Sequence, residues 1–170
     1  RQGERVIHLE VGEPDFATPE CIIEAGVKAL REGKTKYTHS LGLLELRQAL
    51  AEYYAQNYGK EISPYRIIIT NGSSPAMFLL FTALLEREDE FILTNPYYSC
   101  YPNIINFLGG KVNFVNVYEE EGFQYQPERV ARQLTAKTKA IIINSPANPT
   151  GSILSPEVIK ALAELGYYLI

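Results

Sequence analysis

The chain has 170 residues, 46% hydrophobic and 21% charged, which is the composition of a globular domain and excludes disordered and fibrous classes. A formal net charge of -4 offers no cationic field, so neither nucleic acid nor an anionic membrane surface is expected as a partner. Its most apolar run, residues 76–85, falls well short of the ~20 residues a membrane span requires and reads as a buried helix.

Residues 5–11 form a short apolar-rich run ending at Gly12, and Glu13-Pro14-Asp15 breaks it, which predicts a strand followed by a loop. Thr18-Pro19-Glu20 opens a helix in which Ile23, Val27 and Leu30 share one face until Gly33. After a loop over 34–42, a second helix runs over 43–58. Leu46, Leu50, Tyr53, Tyr54 and Asn57 lie on one side of it, and Gly59 takes the stop position.

From Arg66 onward the pattern becomes apolar strand, small turn, helix, repeated. Strands are expected over 66–70, 91–94, 111–117 and 140–144, with helices opening near Pro75, Tyr98, Pro127 and Pro156. Residues 167–170 read as the start of a further strand, so the chain is expected to be part of a longer domain. Ile67-Ile68-Ile69 and Ile141-Ile142-Ile143 are continuous apolar runs, the pattern of strands covered on both faces. The fold expected is therefore α/β, with a mostly parallel sheet in a three-layer α/β/α arrangement.

Ligands of open α/β sheets bind outside the carboxyl ends of the strands, so the turns after each strand carry the chemistry. Asn71-Gly72-Ser73-Ser74 follows the first strand run and precedes a helix. Its glycine, hydroxyls and free N–H groups suit a phosphate, and an N-capped turn suits them equally. Neither a Walker loop nor a dinucleotide fingerprint is present, so a non-nucleotide phosphate is the better fit. The stretch 95–101 places Tyr97, Tyr98 and Tyr101 at the same sheet end, where a planar group can stack or where the rings simply fill the core. Ser145-Pro146-Ala147-Asn148-Pro149-Thr150-Gly151 holds one amide between two prolines, fit to donate to an oxyanion or to make a plain turn. Cys21 and Cys100 stand far apart without partners at ligand spacing, which argues against a metal site or disulfide and favours a cytoplasmic setting.

Taken in order, the segments 9–16, Tyr37-Thr38 with Gly42 and Glu45-Leu46-Arg47, Thr70-Asn71-Gly72-Ser73-Ser74, Pro96-Tyr97-Tyr98 and Asn148-Pro149-Thr150-Gly151 resemble the class I/II aminotransferases. These are fold-type I pyridoxal-phosphate enzymes, and the resemblance covers essentially the whole chain. It implies an incomplete large domain over 43–170, preceded by an N-terminal segment with its loop and first helix over 1–42. The cofactor implied is pyridoxal 5'-phosphate. Gly72, Ser73 and Ser74 would hold its phosphate, Tyr98 would stack on its ring, and Asn148 would donate to the ring 3'-oxygen. Gly12 would border the substrate carboxylate, and Tyr37 would reach the phosphate of the other subunit, which implies a homodimer.

The same resemblance places the cofactor-anchoring lysine beyond Ile170, together with the acid facing the pyridine nitrogen and the carboxylate-binding arginine. No catalytic residue is assigned within the chain, and the chain alone is expected to be inactive. The reaction implied is transfer of an amino group from an amino acid to a 2-oxo acid. The alternatives are a β-lyase or decarboxylase on the same fold, or a ligand-sensing domain without catalysis.

Overall fold

The computed structural model describes Ile7 and residues 12–170. His8 and, apart from Ile7, the strand expected over 5–11 lie outside the described residues. Two compact units divide the chain, Arg1–Ile69 and Thr70–Ile170. Their boundary falls later in the chain than the 42/43 division suggested by sequence.

In the first unit, helix α1 spans Glu20–Arg31, with Glu20 in its first turn and Lys28 and Arg31 in its last, charges that suit the helix dipole. Helix α2 spans Leu44–Tyr58 and ends on Gly59, whose φ of 60° is the left-handed stop that glycine adopts without strain. The side of α2 expected to be apolar stays largely open in this chain. Leu46, Tyr53 and Tyr54 are exposed, and the rings of Tyr53, Tyr54 and Tyr58 pack on one another. What α2 does bury is Arg47, only 4% exposed. Its Nε donates to the Gly42 carbonyl at 3.2 Å and its Nη1 to the Pro64 carbonyl at 2.9 Å, satisfying a cation that would otherwise be costly to desolvate.

The strand expected over 66–70 is not formed. Residues Pro64–Arg66 make a single 3-10 turn, Ile67 is extended, and the Ile69 N–H donates to the Leu41 carbonyl at 3.0 Å. Hydropathy identifies a run suited to a twice-covered strand, but a strand also needs a ladder, and none of the described residues pairs with this run. Ile68 is accordingly exposed rather than covered.

The second unit follows the strand-turn-helix rhythm closely. Its elements are α3 (Ser73–Leu84), β1 (Glu90–Asn95), α4 (Cys100–Phe107), β2 (Lys111–Asn116), α5 (Pro127–Ala131), β3 (Thr138–Ile141), α6 (Pro156–Ala163) and β4 (Tyr168–Leu169). Helix α6 opens as its sequence dictates. Pro156 fills the first turn, and the Ser155 hydroxyl accepts from the Val158 N–H at 3.2 Å.

The four strands pair in the order β2-β1-β3-β4, and every pairing is parallel. Side chains alternate across the sheet, so its two faces fill different cores. Phe91, Leu93, Ala140 and Ile142 point to a cluster with Phe81 of α3 and Ile105 of α4. Ile92, Val115 and Ile141 point the other way, to Val130 of α5 and Leu162 of α6. This is the expected three-layer α/β/α sandwich.

Helix α3 departs from the expected buried helix. Phe81 is fully enclosed, whereas Phe78, Leu79 and Leu80 are exposed. The helix lies on one layer of this sheet, so only the side turned to the sheet is covered by it.

Candidate functional site

From β1 the chain moves outward to β2, and from β3 it moves outward to β4. The chain thus leaves the adjacent strands β1 and β3 in opposite directions, which opens a crevice outside their carboxyl ends. Leu93, Thr94, Tyr97, Tyr98, Asn144 and Asn148 are among the residues that line it. Two of the segments singled out from sequence, the 95–101 tyrosines and the Asn148 loop, therefore meet at one place.

On the β1 side, the Thr94 hydroxyl donates to the Pro96 carbonyl at 2.9 Å and fixes the turn that leads into α4. Tyr98 keeps 36% of its surface exposed, and its ring meets that of Tyr101 edge to face with centroids 5.5 Å apart. Such contacts set the ring's orientation while leaving it accessible. Burial pushes the Tyr101 phenol above its usual range.

The turn before α3 lies in the same unit. Gly72 has φ 97° and ψ 175°, a conformation side chains disfavour, and the Thr70 hydroxyl donates to its carbonyl at 2.7 Å. No side chain caps the start of α3, so the N–H groups of its first turn are available to an anion. Ser74 lies beside α4, its hydroxyl 3.5 Å from the Cys100 sulfur.

On the β3 side, the Asn148 loop carries several hydrogen bonds of its own. The Ala147 N–H donates to the Ser152 carbonyl at 2.8 Å, the Gly151 N–H to the Ala147 carbonyl at 2.7 Å, and the Leu154 N–H to the Ser145 hydroxyl at 3.0 Å. The Asn148 side chain remains exposed at the crevice. Gly12 and Tyr37 belong to the first unit, where both are exposed.

Lys137 and Lys139 lie at the amino end of β3, away from the crevice. Lys139 is 3.7 Å from Asp89 and Lys137 is 4.0 Å from Glu88. Lys111 also bonds Glu88, and this contact holds the Glu88 carboxyl below its usual range. Among the described residues, no cluster of three or more His, Cys, Asp or Glu has the geometry of a metal site. None of their helices is long and apolar enough to cross a membrane.

Three contributors went unnoticed in sequence: Thr94, Asn144 and Tyr125. The first two were findable as polar residues at strand ends. Tyr125 was not, since it lies in an irregular stretch and reaches β3 only through the fold.

A parallel sheet whose adjacent strands part at a polar, tyrosine-lined crevice is an open α/β domain of the class that receives ligands at such a switch point. The chain belongs to the family described as Aminotransferase class I and II, which matches it over residues 4–167. It is 46% identical to the aspartate/prephenate aminotransferase of Thermus thermophilus over the whole chain, corresponding to 45% of that protein. With the (5-formylfuran-3-yl)methyl phosphate transaminase of Methanocaldococcus jannaschii it shares 44% identity over 99% of the chain and 44% of the relative. The solved aspartate aminotransferase of Thermotoga maritima superposes with a TM-score of 0.93 at 42% identity, over 98% of this chain and 46% of that one. The chain thus spans less than half the length of the relatives it matches.

Proposed function

We propose that the intact protein is a pyridoxal-phosphate aminotransferase that moves an amino group from an amino acid to a 2-oxo acid. The observation carrying this reading is the shared crevice of Tyr98 and Asn148 at the point where β1 and β3 part, in the unit that also bears the uncapped start of α3. An anion, a flat ring and an oxygen acceptor are the three features such a constellation suits, and pyridoxal phosphate combines them. When bound, that cofactor supplies an electron sink for the charge released as the substrate's α C–H bond breaks.

In this reading the N–H groups at the start of α3, with Gly72, Ser73 and Ser74, bind the phosphate, favoured by the positive end of the helix dipole. Tyr98 stacks on the ring. Asn148 donates its amide N–H to the ring 3'-oxygen and favours its anionic form. Gly12 borders the substrate carboxylate, and Tyr37 reaches the phosphate of a second subunit in a homodimer. Residues 1–42 form the N-terminal segment, and 43–170 the front of the large domain. The lysine that carries the proton lies beyond Ile170, and the protein works in the cytoplasm.

The side chain of the amino-acid substrate does not follow from the family. Relatives of nearly equal identity carry names as different as aspartate/prephenate aminotransferase and a furan-phosphate transaminase. The test is a single half-reaction of the intact protein loaded with pyridoxal phosphate. One amino acid of a panel should convert the cofactor to its pyridoxamine form and release one equivalent of 2-oxo acid. Release of ammonia or carbon dioxide in its place would assign a lyase or decarboxylase.

A further inference from the structure

Asn148 offers its amide from an exposed loop, and its usefulness as a donor depends on how firmly that loop is held. Asn144, three residues past the end of β3, does the holding. The Asn144 amide oxygen accepts from the Asn148 N–H at 2.8 Å, and its nitrogen donates to the Pro146 carbonyl at 3.1 Å. The reverse orientation would set oxygen against oxygen and nitrogen against nitrogen, so hydrogen-bond chemistry fixes this one. Both ends of the amide are committed to the loop backbone, although the residue also lines the crevice.

Asn144 is in turn set by a rigid strand end. The Ile142 N–H donates to the Ile92 carbonyl at 2.9 Å, and the Ile142 carbonyl accepts the buried Tyr125 hydroxyl at 2.6 Å. The Ile143 N–H donates to the Ile170 carbonyl at 2.6 Å. Strand and loop are therefore joined through one side chain that bridges the turn 145–147.

We infer that Asn144 is a positioning residue for Asn148, acting on the cofactor only through it. This inference rests on the cofactor reading of Asn148. If Asn148 donates to the ring oxygen, loosening its backbone weakens that donation in proportion to the positions the loop then samples.

The experiment is the absorbance titration of bound pyridoxal phosphate in the intact holoprotein, with cofactor Kd measured alongside. Asn148→Ala should raise the apparent pKa by about one unit, a tenfold effect equivalent to ~1.4 kcal/mol. Asn144→Ala should shift it in the same direction by less, and the double variant should shift it no further than Asn148→Ala alone, because both changes act on one donor. Asn144→Ser, which stays neutral and keeps an oxygen able to accept from the Asn148 N–H, should fall between Asn144→Ala and the parent. It serves as the deciding variant if the alanine form does not fold. An unmoved titration in Asn144→Ala, or in Asn144→Ser where the alanine form does not fold, while Asn148→Ala shifts, overturns the role of Asn144 alone. An unmoved titration in Asn148→Ala overturns the cofactor reading and this inference together.

Discussion

The hydroxyl of Tyr125 donates to the carbonyl of Ile142 at 2.6 Å, and both residues are buried. One comes from the irregular stretch before α5 and the other from the end of β3, so the bond ties the approach to a helix on one face of the sheet to the strand that leads into the crevice. Burial pushes the Tyr125 phenol above its ordinary value of 10.0, keeping it a neutral donor. Replacing it by phenylalanine leaves a buried carbonyl without this partner, which costs about 1 to 3 kcal/mol. Tyr125→Phe should lower the melting temperature of the intact protein accordingly.

The same phenol makes a pH prediction whose sign is fixed by linkage. Its folded pKa is raised, so in the unfolded chain the group ionises first. The stability it contributes is fully present below pH 10.0 and is lost as pH rises from there toward the folded value. Denaturant melts of the parent should show this alkaline decline, and Tyr125→Phe should show less of it. Equal declines in the two proteins would assign the effect to other groups.

Two glycines separate backbone strain from crowding. Gly42 has φ 90°, and a Cβ there would lie 2.6 Å from the Cβ of Ile69. Gly42→Ala should therefore add roughly 1 to 3 kcal/mol of overpacking to about 1 to 2 kcal/mol for the left-handed backbone. Gly72 has φ 97° with nothing within 4 Å of the added Cβ, so Gly72→Ala carries the backbone cost alone. Its larger effect should appear in pyridoxal-phosphate affinity, because it distorts the turn before α3. Comparing melting temperature with cofactor Kd for the two variants checks both statements, and a Gly72→Ala protein with unchanged Kd would count against a phosphate at this turn.

Tyr37 is wholly exposed within its unit, which gives it no packing role there. Its proposed partner is a phosphate, and loss of one hydrogen bond to a charged group is worth roughly 1.5 to 3 kcal/mol. Tyr37→Phe should raise the cofactor Kd about tenfold or more at an unchanged melting temperature. A lower melting temperature with unaltered Kd would make the tyrosine structural.

Most of the second unit was legible in sequence because its elements are local. Apolar runs marked β1 and, displaced from 140–144 to Thr138–Ile141, β3; Ser-Pro-Glu opened α6, and the turns read after β1 and β3 are the ones that meet at the crevice. Hydropathy failed where it had to specify a partner. Ile67-Ile68-Ile69 has the composition of a covered strand but no strand among the described residues pairs with it, and α3 is apolar on a side this sheet does not reach. Arg47 shows the converse: a charged residue in a helix reads as solvated, yet it is buried, its guanidinium satisfied by the carbonyl of Gly42 just before α2 and that of Pro64 seventeen residues on. Asn144 could be found as a polar residue at a strand end, but its bond to Asn148 is recognised only in three dimensions.

The last prediction concerns the group that Lys137 and Lys139 do not supply. Both lysines stand at the amino end of β3 beside Glu88 and Asp89, at the end of the strand opposite the crevice. Salt bridges hold both lysines at that end, so neither amine stands at the crevice where the cofactor is proposed to bind. In the proposed aminotransferase, the amine that would hold the cofactor and move the α-proton is therefore expected from elsewhere in the intact protein. Borohydride reduction of the intact protein in the presence of pyridoxal phosphate, followed by peptide mapping, should locate the cofactor on a single lysine beyond Ile170. Substituting that lysine by alanine should abolish labelling while Lys137→Ala and Lys139→Ala leave it intact. Label on Lys137 or Lys139, or none on a folded protein that binds the cofactor, would refute the catalytic reading and leave the crevice as a binding site without chemistry.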